Sequence, residues 1–377
     1  MNGTAEYRVL VCDLRSDRLL DVLPLTGVSV EDYIGKAGTL QGTVPIPNRE
    51  LADRARAVLT PARTALWVER DRRIWWGGVL WSVNPKTDER GNVTVEVQGG
   101  TFDTYLDHRM LRTDHKAKGI DQLDIARDLV DYAQAQPGGD IGIRYDTHLS
   151  GVKRLRTFSA SDQPTIRDLL DRLAKAEDGY EWRIRCYRDP ASGERVKLLD
   201  LGYPRLVRGG DDVVLTHPGR LLTYSFAADG STVANAWQAR GATANRNQAA
   251  ASKPLLSELL VAEDDLANGW PRLDGSSDHQ SIDDPEQLDE HARAEAQLAR
   301  RPQVIPEITV HLDNEISPDL LGRYARIRIR DLWFPDGLNL RHRVVGISVT
   351  PPERGAGESV KLTLETPENP NDGNSPQ

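Results

Sequence analysis

The side chains best suited to chemistry are scattered through this sequence, not gathered. None of its eight histidines stands in a His-Glu-x-x-His pattern, which would set two imidazoles on one helical face for zinc. Cys12 and Cys186 lie far apart, each inside an alternating stretch, and read as reduced core residues rather than ligands or a disulfide. Asp274-Gly275-Ser276-Ser277-Asp278 offers oxygen donors. It lacks the alternating Asp/Asn ligands and the closing bidentate Glu of a calcium loop, and reads as a solvated surface loop. Gly355-Ala356-Gly357 runs into the alternating stretch 360–364, whereas a phosphate cradle must open a helix. No Gly-x-Ser-x-Gly elbow occurs. Two carboxylates could meet from anywhere among 57 acidic residues, so their number alone indicates nothing. No catalytic, metal-binding or cofactor-binding residue is assigned, no cofactor is implied, and no enzyme is expected.

Trp67, Trp75, Trp76 and Trp81 form an aromatic cluster. At alternating strand positions such rings normally fill a core. Only if Trp75, Trp76 and Trp81 were exposed would they make a sugar-stacking platform, which is the competing expectation of a carbohydrate-binding module. The net charge is −9, with basic residues mixed among acidic ones, which disfavours a nucleic-acid partner because phosphate binding needs a concentrated basic face. No stretch reads as a secretory signal and no apolar run is long enough to span a bilayer, so a soluble protein made in the cytoplasm is expected, without membrane insertion.

The elements that must position these residues are mostly strands. Alternation places strands through residues 7–98, with a helical turn at 51–59. Helical periodicity returns at Leu123, Ala126, Val130 and Ala133, opened by Asp121 and closed by Gln136-Pro137-Gly138-Gly139. A second helix opens at Thr165-Ile166-Arg167-Asp168, and a hairpin follows from Tyr180 to Leu201. Strands resume at 203. They are interrupted by a stretch, 242–302, that is low in large apolar residues and contains one helix starting at Asp284-Pro285.

One strand–turn–strand unit appears twice. Leu66-Trp67-Val68-Glu69-Arg70-Asp71 leads to Val79-Leu80-Trp81-Ser82-Val83-Asn84-Pro85 and then 93–97. Ile327-Arg328-Ile329-Arg330-Asp331 leads to Val345-Gly346-Ile347-Ser348-Val349-Thr350-Pro351 and then 360–364. The text predicts that 79–85 superposes on 345–351, and 93–97 on 360–364. The second copy has the longer first turn, carrying Trp333 and Phe334, which are expected at a subunit interface. The fold class expected is mainly β with an α+β insert: two related antiparallel β-barrel domains plus a helix–hairpin middle domain. The divisions are 1–100 for the first barrel, 101–202 for the α+β domain, 203–241 with 303–366 for the second barrel, 242–302 for a peripheral insertion, and 367–377 for a polar tail.

This order of pieces, with Leu40-Gln41-Gly42-Thr43-Val44-Pro45-Ile46-Pro47, Gly179-Tyr180-Glu181-Trp182-Arg183 and Arg343-Val344-Val345-Gly346-Ile347, resembles the tail-hub or minor tail proteins of tailed bacteriophages, of the long-tailed type found with actinobacterial hosts. The resemblance covers nearly the whole chain. It implies a structural virion protein at the distal end of the tail, part of the baseplate. There it would be a homotrimer whose two barrels per chain match a sixfold tube. The partners implied are other copies of itself, the distal tail protein, the tape-measure protein, and fibres or a spike, with DNA passing only transiently through an acidic lumen. The chain ends soon after its last predicted strand, so host recognition and wall cleavage are expected on other chains. A host-attachment module using the Trp cluster, or a tail-associated hydrolase, are the alternatives.

Overall fold

The computed structural model describes residues 6–243, 253–301, 303–312, 316–352 and 358–365. The tail 367–377 and the Gly355/Gly357 turn lie outside the described residues. The first half of the sheet contains β1 (Tyr7–Asp13), β2 (Leu19–Leu23), β3 (Thr26–Tyr33), β4 (Thr39–Ile46), β5 (Thr64–Arg70), β6 (Arg73–Thr87) and β7 (Val93–Thr101). Helix α1 (Arg49–Val58) joins β4 to β5. Asn48 starts it, its Oδ1 accepting from the amide of Leu51 at 2.9 Å. Strand β5 is buried on both faces from Thr64 to Glu69, as is β6 from Ile74 to Leu80, which is why both read as continuous apolar text.

The middle segment contains β8 (His115–Asp121), α2 (Gln122–Ala135), β9 (Ile143–Tyr145), β10 (Lys153–Phe158), α3 (Ile166–Ala174), β11 (Glu181–Arg188) and β12 (Arg195–Gly202). Asp121 caps α2 by accepting from Leu123 N at 2.9 Å, and Leu123, Ala126, Val130 and Ala133 are buried at the predicted spacing. β11 and β12 form the predicted hairpin, extended by a parallel pairing of β9 with β12.

The second half begins with β13 (Val213–His217) and β14 (Leu221–Asp229). The chain then builds a separate compact unit from residues 172–179 and 226–306. It holds β15 (Ala236–Thr243), β16 (Pro254–Leu256), β17 (Leu260–Val261), α4 (Glu263–Ala267), β18 (Asp274–Asp278) and α5 (Pro285–Ala299). The boundaries expected at 242 and 302 therefore fall at 226 and 306. The reason is β15: Trp237 and Ala239, assigned from sequence to the second barrel, pack here with Leu255, Leu260, Ile282, Leu288 and Ala292. With β15 included, this segment has a small apolar core of its own. The acidic stretch expected as a loop is β18, paired in parallel with β15. Asp284 caps α5 and Pro285 opens it, as the sequence predicts.

The sheet resumes with β19 (Gln303–His311), β20 (Tyr324–Ile329), β21 (Leu338–Thr350) and β22 (Ser359–Leu364). Its first half lies in the order β2-β1-β5-β6-β7-β4-β3 and its second in the order β13-β20-β21-β22-β19-β14. Apart from β2, which has no counterpart, corresponding strands also occur in the same order along the chain. The compact unit is inserted between β14 and β19, where the first half has only the short β3–β4 connection. One orientation differs: β1 runs antiparallel to β5, whereas β13 runs parallel to β20.

Each half has one long middle strand with a bulge. It falls between Leu80 and Ser82 in β6 and between Val344 and Gly346 in β21. Matching the bulges places Val83, opposite Val97, on Ile347, opposite Leu362. The superposition expected from the shared Ser-Val-x-Pro text is thus two residues out of step in the long strand. A similar string recurs beside the bulge without being structurally equivalent.

The two halves are joined edge to edge. β3 of the first pairs with β21 of the second, Val30 to Tyr33 against Val349 to Gly346, and the result is one sheet of 13 strands. The protein is mainly β. Among the described residues, the strand pairings do not close either half on itself.

Candidate interaction surface

The residues most available for recognition lie at turns and strand edges. Trp67, Trp75 and Trp76 are buried, Trp75 at 4% and Trp76 at 1% exposure. Trp76 Nε1 donates to Glu31 O at 2.9 Å, and half-buried Trp81 donates to Thr104 Oγ1 at 2.8 Å. Burial of Trp75 and Trp76 counts against the sugar platform: these rings fill the core between strands, and Trp81 is half-buried.

A small cavity is lined by Asp32, Asp103, Arg167, Trp182 and Arg183, among others. Its two carboxylates are each engaged by a guanidinium, Asp32 by Arg183 at 3.1 Å and Asp103 by Arg167 at 2.5 Å. Burial pushes the Asp32 carboxyl up, and the Arg183 charge opposes that shift. These are structural ion pairs rather than an acid–base couple facing a substrate. In the inserted unit, Ser277 and His279 both bond Glu295, so the serine has the carboxylate and not the imidazole as its partner. This is not the serine–imidazole pairing of the common Ser-His-Asp arrangement. Among the described residues no group of three or more His, Cys, Asp or Glu is placed to hold a metal ion. No helix of the described residues is long and apolar enough to cross a membrane. Cys12 and Cys186 are free cysteines, and burial raises the Cys12 thiol to about 11.

The cores of the β halves are tied to the middle segment by charge. Arg343 on β21 is 1% exposed. It donates to both oxygens of Glu181 at 2.5 and 2.6 Å, to both oxygens of Glu365 at 2.7 and 2.9 Å, and to Leu206 O at 2.8 Å. Burial raises the Glu181 carboxyl, but the Arg343 hydrogen bonds outweigh it and hold the group below its ordinary value. Gly346, beside the bulge, leaves room for the Tyr33 ring: a Cβ there would come within 2.4 Å of it.

The turn between β20 and β21 is the exposed feature that sequence singled out. Asp331 organises it, Oδ1 accepting from the amides of Trp333 and Phe334, each at 2.9 Å, while Tyr224 donates to Oδ2 at 2.5 Å. Phe334 is half-buried, its ring 5.9 Å from that of Tyr224. Trp333 is 80% exposed and Leu332 fully so. Of the two residues expected at an interface, Phe334 anchors the turn and Trp333 presents outward. Leu332 was missed by sequence reasoning, though its place beside two aromatics in a turn was the available signal.

The strand edges were not legible in the sequence. β5 pairs with β6 only as far as Val79, so beyond the bulge Ser82-Val83-Asn84 keeps β7 on one side and, among the described residues, no strand on the other. At the far end of the sheet, β14 is the terminal strand, with Leu222, Thr223 and Ser225 exposed.

Neither a protein-family model nor a curated protein matches the chain. Solved structures do. A tail protein from Neisseria meningitidis MC58 is similar over 95% of this chain and 96% of its own, with a TM-score of 0.58 at 11% identity. The 43 kDa tail protein of prophage MuSo2 from Shewanella oneidensis matches over 96% and 97%, with a TM-score of 0.56 at 12% identity. A chain of the Francisella PdpA–VgrG complex covers all of this chain with 55% of its own length, at a TM-score of 0.53 and 12% identity. The chain therefore has, along nearly its whole length, the fold seen in phage tail proteins.

Proposed function

We propose that this chain is a structural component of a phage tail, the hub at its distal tip, where three copies form a ring of six sheet halves. The observation that carries this reading is the doubled half: corresponding strands occur in one order in the chain and in space, and the halves are joined edge to edge. A module used twice per chain lets three chains meet a sixfold tube. The shared fold with tail proteins supports the same role. The exposed Leu332–Trp333 tip is assigned to contact with a neighbouring copy or with a baseplate partner. The distal tail protein and the tape-measure protein are proposed on the two sides of the ring, with fibres or a spike outside it. The net charge of −9 suits a lumen that lets DNA pass without holding it. The proposed role is structural rather than enzymatic.

Light scattering on the purified protein should return the mass of three chains. A stable dimer or tetramer would overturn the ring.

A further inference from the structure

Resting on that trimer reading, we infer that 82–84 of β6 in one copy is the docking edge for β14 of the next, a main-chain seam that repeats between chains the seam seen within each chain. The intrachain seam supplies the pattern. β21 bends at its bulge, leaves β20, and from Gly346 to Val349 accepts β3 on the vacated side while keeping β22 on the other. β3 is the strand of the first half that lies next to β4. Its counterpart in the second half is β14, which lies next to β19. β6 bends at the matching bulge and leaves β5, but among the described residues its vacated side takes no strand.

One chain thus carries both parts of a second seam, the docking edge on β6 and the docking strand β14, and does not join them to each other. A head-to-tail contact of this kind closes into a ring when its rotation allows. An unpaired edge is otherwise a liability, and β6 limits its length: Pro85 has no amide to donate and Lys86 follows it. Ser82-Val83-Asn84 remains, close in length to the four-residue intrachain seam. Ser82 is exposed at the position where the bulge alignment puts Gly346, and Leu222 on β14 is 37% exposed.

The wild-type protein tests this by hydrogen exchange on the assembled species, with its mass measured in parallel. A strand paired on one side only protects alternate amides; pairing on both sides protects them all. The expected result is slow exchange at all three of Ser82, Val83 and Asn84, the outward amides slowed about tenfold or more. As a second arm, chains carrying only Asn84→Cys are mixed with chains carrying only Leu222→Cys and treated with a short bis-maleimide, which should give a product of two chains. A trimer with alternating fast amides and no such product overturns the seam and leaves the ring standing. A protein that runs as a single chain overturns both.

Discussion

The two halves of the sheet solve one turn in two ways. Between β5 and β6 the chain reverses through Asp71 and Arg72 alone, both at positive φ, 48° and 67°. Between β20 and β21 it takes residues 330–337 to make the corresponding reversal, and the added length exposes Leu332 and Trp333. A two-residue turn with this handedness matches the strand twist and suffices for the hairpin. The longer turn brings no further core, yet it is built with care: Asp331 holds two amides and the Tyr224 hydroxyl. A hydrogen-bonded turn displaying an apolar tip fits the proposed contact with another subunit. Under the proposed assembly, the first half shows the minimum the hairpin needs, and the excess in the second is the part assigned to contact between subunits.

Three substitutions test that division. The largest effect is expected at Arg343, whose counterpart under the bulge alignment is the buried Val79. Arg343→Val would give the second half the apolar choice of the first but strand Glu181 and Glu365, with a loss of about 3–5 kcal/mol in chemical denaturation. The pH dependence sharpens this. The Glu181 carboxyl is held below its ordinary 4.5 in the folded protein, so its contribution is present above that value and disappears as pH falls through the lower folded value. The variant should have a shallower stability slope than wild type below about pH 4.5. Equal slopes would show that the network is not coupled to folding.

A smaller loss belongs to Gly346→Ser, which installs the residue found at the matching position of β6. Crowding the Tyr33 ring should cost about 1–3 kcal/mol. Unchanged stability would mean that the Tyr33 ring moves aside and that the close approach at Gly346 is not needed for the seam. The smallest effect on folding is expected at Trp333→Ala, within about 0.5 kcal/mol of wild type. The same variant should lose trimer mass or binding to tail partners. A variant that unfolds more readily but assembles normally would make the turn a folding element after all.

Much of this architecture was legible in the sequence because local physics wrote it there. Alternation marked β1 and the β11–β12 hairpin, Asp121 and Asp284 announced their helices, and the meander β5-β6-β7 announced its likeness to β20-β21-β22. Non-local events were not legible. Nothing in Val30 or Val349 says that β3 will cross to β21, because the pairing joins residues far apart in sequence and is decided by which edges remain open. The division at 226 was missed because β15 has the same alternating text whichever sheet it joins. The two-residue error in the superposition arose because shared letters were followed where bulges set the register. At the surface, Trp333 was legible as an exposed aromatic, but the edge at 82–84 is visible only when β5 is seen to leave it.

The inserted unit has a consequence for symmetry. It emerges between β14 and β19, and the matching connection between β3 and β4 carries nothing comparable. Around the proposed ring, six nearly equivalent halves would therefore carry only three such units, one at every second position. The halves would repeat six times around the ring and the inserted units three times. The chain would in this way convert a sixfold object into a threefold one with no adaptor beyond its own asymmetry, and appendages reading the inserted unit would be limited to three.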